Sequence, residues 1–377
     1  MIRSLIWLIL QIVSKLKVLH ITPWYPSPSM PGSGIFIQRQ IAGMAAHMDQ
    51  FVLHIDLSFD GPVNESESGQ HFKRISRKLN LKLWRWYELR FYRMLRDALI
   101  KMDASNEYTH VVFHIAYPAL IFLEKLRPHL PEKILISEHW SAYGLHFSSK
   151  KRLNRIKEMF KKDIPLVVVS KALGESICDF SQQRIPYSVI PNVVDSDFSF
   201  NANAVPGNYF FSAAFWKEPK KPLELLQAIY ALKSRDVHIQ LRIAGYGPLV
   251  ETMKRVTAKL GIEDCVFFEG RLGPKDLAKM MNEAIAFVMP TEYETFSVIC
   301  AEALACGCPV IASQVGAIPE LINETNGILV GDQKGWTDAF IDFQTRSFER
   351  KLIATNSASM FSVDKIANQF TELIQKL

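Results

Sequence analysis

The chain has 377 residues, 48% of them hydrophobic and 22% charged, which excludes a disordered protein and leaves room for two domains of ordinary size. The net charge of +6 is local in origin: residues 71–101 hold ten Lys/Arg against two Asp/Glu, and the rest of the chain is slightly acidic. The five cysteines (Cys178, Cys265, Cys300, Cys306, Cys308) form no CxxC pair and sit in apolar segments, which excludes a disulfide scaffold and fits a reduced, cytoplasmic compartment.

The chain opens with MIRSLIWLILQIVSKLK. Its apolar stretch Leu5–Val13 is shorter than the ~20 residues a spanning helix needs, and no small-residue cleavage site follows. Residues 1–17 read as an extension, either an interfacial helix or the product of an upstream start before the first strand. Lys17–Thr22 reads as that strand. A Pro/Gly/Ser-rich loop follows, ending Gly32-Ser33-Gly34, and then a helix from about Ile35 to His47. Glycines there let a ligand approach the backbone and leave the helix N-terminus open. A dinucleotide fingerprint fails, because Ile37 stands where a third glycine belongs.

Further strands are expected at Phe51–Ile55, Val111–His114, Lys133–Ser137, Leu166–Ser170 and Tyr187–Ile190, with helices between most of them. Residues 71–101 read as helix-compatible, basic and aromatic, with Leu83, Trp84, Trp86, Tyr87, Phe91 and Tyr92 among the charges. This suits an anionic membrane surface or a surface helix with its aromatics in the core. Nucleic acid is not an expected partner, because no nucleic-acid module accompanies the patch. Histidines follow two strand ends, His114 in VVFHIAYP and His139 in ILISEHWSAYG; in such sheets ligands bind beyond the carboxyl ends of strands.

The segment Pro191–Asn208 reads as a junction, and the alternation restarts after it. Strands are expected at Tyr209–Ala213, Ile239–Ala244, Val266–Glu269, Ala286–Met289 and Val310–Ala312, with a helix at Pro222–Lys233. The last residues form one amphipathic helix with Ile366, Phe370, Leu373 and Ile374 on a face. This is an α/β chain of two doubly wound halves. The expected boundaries are 1–17 extension, 18–190 N-terminal domain, 191–207 linker, 208–360 C-terminal domain, and 361–377 a helix packing back on the N-terminal domain.

The densest stretch is EYETFSVICAEALACGCPVIAS, residues 292–313. A helix is expected from near Phe296 to about Cys306, capped by Ser297 and stopped by Gly307 and Pro309. The amides of Phe296 to Ile299 then make an anion site suited to phosphate. Glu294 repels that phosphate and is better placed to accept from hydroxyls beside it. Glu302, about two turns along on the same side, can accept from both hydroxyls of a ribose.

This stretch resembles the signature of the retaining, GT-B-fold glycosyltransferases of family 4: two glutamates eight apart, then EA-x-A-x-G-x-PV-I-A, here Glu294, Glu302-Ala303, Ala305, Gly307 and Pro309-Val310-Ile311-Ala312. The resemblance spans residues 17–377 and is densest over 187–330. It implies a GT-B fold, two Rossmann-like domains facing a central cleft, and sugar transfer from a nucleoside-diphosphate sugar to a saccharide or lipid-linked saccharide. It implies catalytic roles for His114, Glu294 and Lys220. Donor binding falls to Gly34, Lys220, Glu294, Thr295, Phe296, Ser297, Val298 and Glu302, with Arg271 and Leu272 near the nucleobase. His139 and Arg39 are acceptor-side candidates. No cofactor beyond the donor substrate and no metal is expected, since neither HExxH nor a suitable DxD occurs. Two departures stand out: Thr295 and Ser297 replace the family's frequent glycines, and Ala214 and Phe215 stand where an arginine usually precedes the phosphate lysine. Lys217 then substitutes, or phosphate binding is weaker. A non-hydrolysing nucleotide-sugar epimerase and a non-catalytic nucleotide-sugar binder are the alternative readings.

Overall fold

A computed structural model describes residues 16–27, 30, 32–58, 64–79, 86–140, 143–331 and 335–377. The extension 1–15 and part of the basic segment, 80–85, lie outside the described residues. The chain divides into two compact units: Met1–Val169 with Leu173–Ile190 and Ile366–Leu377, and Ser170–Ala172 with Pro191–Lys365.

The first unit holds an eight-stranded sheet, ordered β3-β4-β2-β1-β5-β6-β7-β8. Its strands are β1 Lys17–Thr22, β2 Asp49–Ser58, β3 Asn64–Gly69, β4 Phe72–Lys78, β5 His110–His114, β6 Lys133–Glu138, β7 Leu166–Val168 and β8 Ser188–Val189. All pairs are parallel except β3 with β4. The central strands are buried on both faces, as β5 is along its whole length, which is why they read as continuous apolar runs.

Sequence patterning misses β3 and β4 and misassigns the basic segment. Residues 71–101 do not form one helix: Phe72–Lys78 is a strand, and the helix covers only Tyr87–Lys101. Several of its charges are consumed internally. Arg74, buried, donates to His54 Nδ1 at 3.1 Å and pairs with Glu67. Glu88, also buried, pairs with Arg152 and Arg155. The early helix is also shorter than expected, Ile35–Gly43 followed by a 3-10 turn at Met44–Ala46.

The second unit holds a parallel six-stranded sheet, ordered β11-β10-β9-β12-β13-β14. Its strands are β9 Phe210–Phe215, β10 Leu241–Tyr246, β11 Val266–Gly270, β12 Ala286–Met289, β13 Val310–Ser313 and β14 Gly327–Val330, the last missed in the sequence. The core on one side joins Phe210, Leu225, Ile229, Ile243, Val288 and Phe340. At roughly 1.5–3 kcal/mol for each large side chain buried, such a cluster supplies the main drive for this unit to fold. Residues 191–207 are fastened to the second unit: Val194 N–H donates to the Phe361 carbonyl at 3.0 Å, Asn201 N–H to Asn282 at 2.7 Å and Gly207 N–H to the Glu283 carbonyl at 2.7 Å.

Candidate functional site

In the second unit, β9 and β12 are adjacent, and so are the loops that leave their carboxyl ends. The loops are stitched together. Lys220 bridges Thr291 in antiparallel fashion, Lys221 N–H donates to the Pro290 carbonyl at 3.2 Å, and Glu292 N–H donates to the Pro219 carbonyl at 2.9 Å. This brings the Lys220 ammonium to 2.8 Å from the Glu294 carboxylate, with side-chain exposures of 17% and 18%. A third loop fixes the glutamate's backbone. The Glu294 carbonyl accepts from Ala317 N–H at 3.2 Å, and a Cβ on Gly316 (φ 51°) would stand 2.0 Å from that oxygen. Only glycine admits this approach.

The helix after Glu294 runs Val298–Ala305, later than the sequence suggests. Ser297 does not cap it through its side chain; it occupies the N-cap in the left-handed region (φ 68°) and accepts no cap hydrogen bond. A non-glycine residue there costs roughly 1–2 kcal/mol. The Cys300 amide is the first to find a helical acceptor, the Ser297 carbonyl at 3.1 Å, so the preceding amides face outward from the helix end. Glu294 lies in the loop, not on the helix, and Glu302 is the helix's fifth residue. The eight-residue spacing is therefore not a helical spacing, and the two-turn placement of Glu302 is corrected. Glu302 is 7% exposed.

Thr295 and Val298 are partly buried beside this end. Phe296 is core, packed edge-on against Phe361 with ring centroids 5.6 Å apart. Arg271, exposed, lies past β11 with its guanidinium 4.8 Å from the Tyr246 ring centroid, and Leu272 beside it is partly buried. The structure thus brings Lys220, Glu294 and the start of the Val298–Ala305 helix together, all at carboxyl ends of strands.

In the first unit, Gly34 takes the left-handed conformation (φ 63°) at the N-cap of the Ile35–Gly43 helix, and a Cβ there would meet the Trp24 carbonyl oxygen at 2.4 Å. Arg39 sits partly buried on that helix. His114 closes β5 but is fully enclosed, at 0% exposure, so the expectation of an open histidine past a strand end is corrected. Its surroundings define its protonation. Gln50 Nε2 donates to the Ile41 carbonyl at 2.9 Å, which leaves Gln50 Oε1 to accept from His20 Nε2 at 2.9 Å. His20 Nδ1 is then an acceptor, and His114 Nε2–H donates to it at 3.0 Å. The chain fixes both tautomers and leaves His114 Nδ1 unprotonated. Burial holds His20 down to about 4 and, with Arg74 beside it, His54 also to about 4; burial, then His20 and His139, lowers His114 well below 6.5.

His139, 4% exposed, packs tilted against Phe36 with ring centroids 4.8 Å apart and lies 3.3 Å from Ser137 Oγ. Glu138 before it is fully buried and accepts from the amides of Ala116, His139 and Trp140 and from Tyr143 Oη. Burial raises its carboxyl to about 7, against the pull of these donors. His20, Gln50 and Glu138 were missed in the sequence, because their roles depend on partners 22 to 94 residues away. Among the described residues no group of three or more His, Cys, Asp or Glu is disposed to hold a metal, and no helix is long and apolar enough to cross a membrane.

Residues 207–345 match the family model described as glycosyl transferases group 1. The chain is 30% identical over 184 residues to an MMP alpha-(1->4)-mannosyltransferase of Mycolicibacterium hassiacum, covering 48% of this chain and 42% of that protein. It is 32% identical over 148 residues to a D-inositol 3-phosphate glycosyltransferase of Saccharomonospora viridis, covering 36% and 34%. The chain thus spans less than half the length of these two curated relatives. Among solved structures it resembles the sucrose-phosphate synthase of Thermosynechococcus elongatus, with a TM-score of 0.77 at 18% identity over 96% of this chain and 99% of that one. It also resembles Anabaena Alr3699/HepE in complex with UDP-glucose, with a TM-score of 0.72 at 16% identity over 96% and 100%. Residues 207–345 are therefore similar to the glycosyl transferases group 1 family, and the chain has the GT-B fold of these solved structures.

Proposed function

We propose that the chain is a retaining, metal-independent glycosyltransferase that moves a sugar from a nucleoside-diphosphate sugar to a hydroxyl of a saccharide or lipid-linked saccharide, in cell-surface polysaccharide or glycolipid synthesis. The observation that carries this reading is the Lys220–Glu294 pair at 2.8 Å, set where the Val298–Ala305 helix presents unpaired amides. A diphosphate arriving there takes Lys220 and the amides, and Glu294 turns to the hydroxyls of the attached sugar. The mannosyltransferase and glycosyltransferase names of the relatives, and the UDP-glucose held by HepE, support it.

In this reaction the bond between the anomeric carbon and the diphosphate oxygen breaks, with its electron pair leaving on the diphosphate. The acceptor oxygen bonds to the same face, and its proton passes to a diphosphate oxygen. Lys220 and the helix amides stabilise the charge that develops on the leaving group. Glu302 holds the ribose, while Arg271 and Leu272 lie at the nucleobase. Gly34, His114, His139 and Arg39 belong to the first unit and serve donor and acceptor positioning. Trp86, 48% exposed ahead of the Tyr87–Lys101 helix with exposed Arg93 and Lys101, supports docking of that helix on an anionic inner membrane face.

The test is a screen of nucleotide sugars with soluble saccharides and with lipid-linked saccharides in anionic vesicles, read by mass spectrometry. The reading expects one nucleotide sugar to give free nucleoside diphosphate and a new glycoside with the anomeric configuration kept, faster on the vesicles. No glycoside from any pair, or an inverted one, would contradict it.

A further inference from the structure

The loops that leave β5 and β6 in the first unit converge on one buried side chain. Glu138 ends β6 and is 0% exposed. Its Oε1 accepts from the His139 and Trp140 amides, each at 3.0 Å, and its Oε2 from the Ala116 amide at 2.9 Å and from Tyr143 Oη at 3.0 Å. Three of these four partners are backbone N–H groups, which can only donate. The cradle is therefore built for the carboxylate, and a proton on Glu138 could be accepted only by the Tyr143 oxygen.

The backbone this carboxylate holds is strained. Ile115, between His114 and Ala116, takes the left-handed conformation (φ 69°) and is 2% exposed. A β-branched residue is disfavoured there, and such strain persists only where the surroundings fix the backbone. Two bonds do so. Ile115 N–H donates to the Ser137 carbonyl at 2.9 Å, and the next amide, Ala116, is taken by Glu138. The same carboxylate sets the two amides that follow β6, and with them the direction in which His139 and Trp140 leave the strand. Trp140 stays partly open, its ring centroid 4.6 Å from that of Tyr143 and 6.1 Å from that of Trp24.

We propose that Glu138 is a positioning residue for sugar transfer: an ionised, buried carboxylate that holds the turn after His114 and the His139–Trp140 backbone in the conformation the acceptor meets. It touches no substrate and acts through the groups it fixes; displacing such groups by about 1 Å can cost roughly 10²-fold in rate. The inference rests on reading the carboxyl ends of the first unit's strands as the acceptor side. It carries a pH signature, because a proton on Glu138 takes an oxygen away from the donors. Burial raises this carboxyl to about 7 against the pull of its four donors. The titratable groups on the elements packed around it are His114, His139, Tyr117 and Tyr143, and burial keeps His114 neutral in this range.

The experiment compares full-length wild type, Glu138→Gln and Tyr143→Phe, using the nucleotide sugar and acceptor that give product in the screen above. It measures kcat and acceptor KM from pH 6 to 8 and the affinities of UDP, GDP and ADP, with melting temperatures as the folding control. Glu138→Gln turns an NH2 toward two of the four donors. It is expected to lower kcat/KM for the acceptor by roughly 10–100-fold and to leave diphosphate affinity unchanged. It should also lose the decline that wild type shows below about pH 7. Tyr143→Phe removes one donor to the charged form and should move that decline upward by about one pH unit, a shift that a loss of packing does not give. Should Glu138→Gln not fold, Tyr143→Phe decides alone. Acceptor kinetics of Glu138→Gln equal to wild type would overturn the inference and leave the proposed function standing, and so would an acid decline that is absent or that Tyr143→Phe does not move. A wild type that transfers no sugar in the screen would overturn both.

Discussion

Lys220→Met is expected to lower sugar transfer by about 10²–10³-fold, the usual consequence of removing one fixed charge that stabilises a developing anion. Two effects combine. The leaving diphosphate loses the ammonium that meets its growing charge. Glu294 also loses its partner at 2.8 Å while its side chain stays 18% exposed, so an uncompensated carboxylate now faces an incoming anion. That second effect lowers stability too, by about 1–3 kcal/mol, the range for leaving a poorly solvated polar group unsatisfied. Lys220→Arg keeps the charge and should recover part of the rate. Initial rates and melting temperatures of the three proteins test this; transfer by Lys220→Met within threefold of wild type would contradict it.

A large loss of stability on mild acidification is the second expected result. His20 and His54 are held near 4 in the folded chain and His114 well below 6.5, each chiefly by burial. All three titrate near 6.5 when unfolded. A base whose folded pKa is depressed contributes stability that is present above 6.5 and is lost as pH falls from 6.5 toward 4, because only the unfolded chain takes up the proton. His20 and His54 alone forfeit roughly 3 kcal/mol each across that window, against a total of about 5–15 kcal/mol for an ordinary domain.

The groups facing these rings do not reverse the sign. His20 meets Gln50 and His114, His114 meets His20 and His139, and His54 meets the Arg74 side chain and the Pro23 carbonyl. Glu138 opposes the trend, since a carboxyl raised to about 7 favours the folded state as pH falls from 7 to its unfolded value near 4.3. One acid offsets about one histidine, and the net effect remains a loss. Urea unfolding at pH 7, 6, 5 and 4.5 should show stability falling, and His54→Gln should fall by up to one proton less per pH unit, about 1.4 kcal/mol. A flat profile between pH 7 and 4.5 would contradict the buried neutral histidines.

Most of the parallel sheets could be read in the sequence because strands buried on both faces are continuous apolar runs, as in HVVFH, KILISE and AFVM. The missed strands lack that signal. NESESG is an edge strand with no apolar residue, held only by its antiparallel pairing with β4, and FKRISRK alternates among charges. Their existence depends on β2 being available to pair with β4, which no local pattern records.

The site divides in the same way. Glu294 and the helix expected from near Phe296, which begins at Val298, were visible because turn residues, Gly307 and Pro309 punctuate the stretch, whereas Lys220 came from the family resemblance of the segment around it. The contact between Lys220 and Glu294 joins residues 74 apart and follows only from the adjacency of β9 and β12. The left-handed Ser297 was hidden for a different reason: serine is a preferred capping residue, and local preference gave a side-chain cap that the backbone does not adopt. His114 was misjudged because a strand-end position does not report burial, and here His20 and His139 pack against the ring.

The most direct test of the site is calorimetric titration of a nucleotide sugar and of its free nucleoside diphosphate into wild type and Glu294→Gln. If Glu294 meets the sugar and Lys220 the diphosphate, the variant should bind the nucleotide sugar about tenfold or more weakly and bind the free diphosphate at least as well as wild type, because a carboxylate has gone. Equal affinity of the two proteins for the nucleotide sugar, or a loss confined to the free diphosphate, would contradict the account.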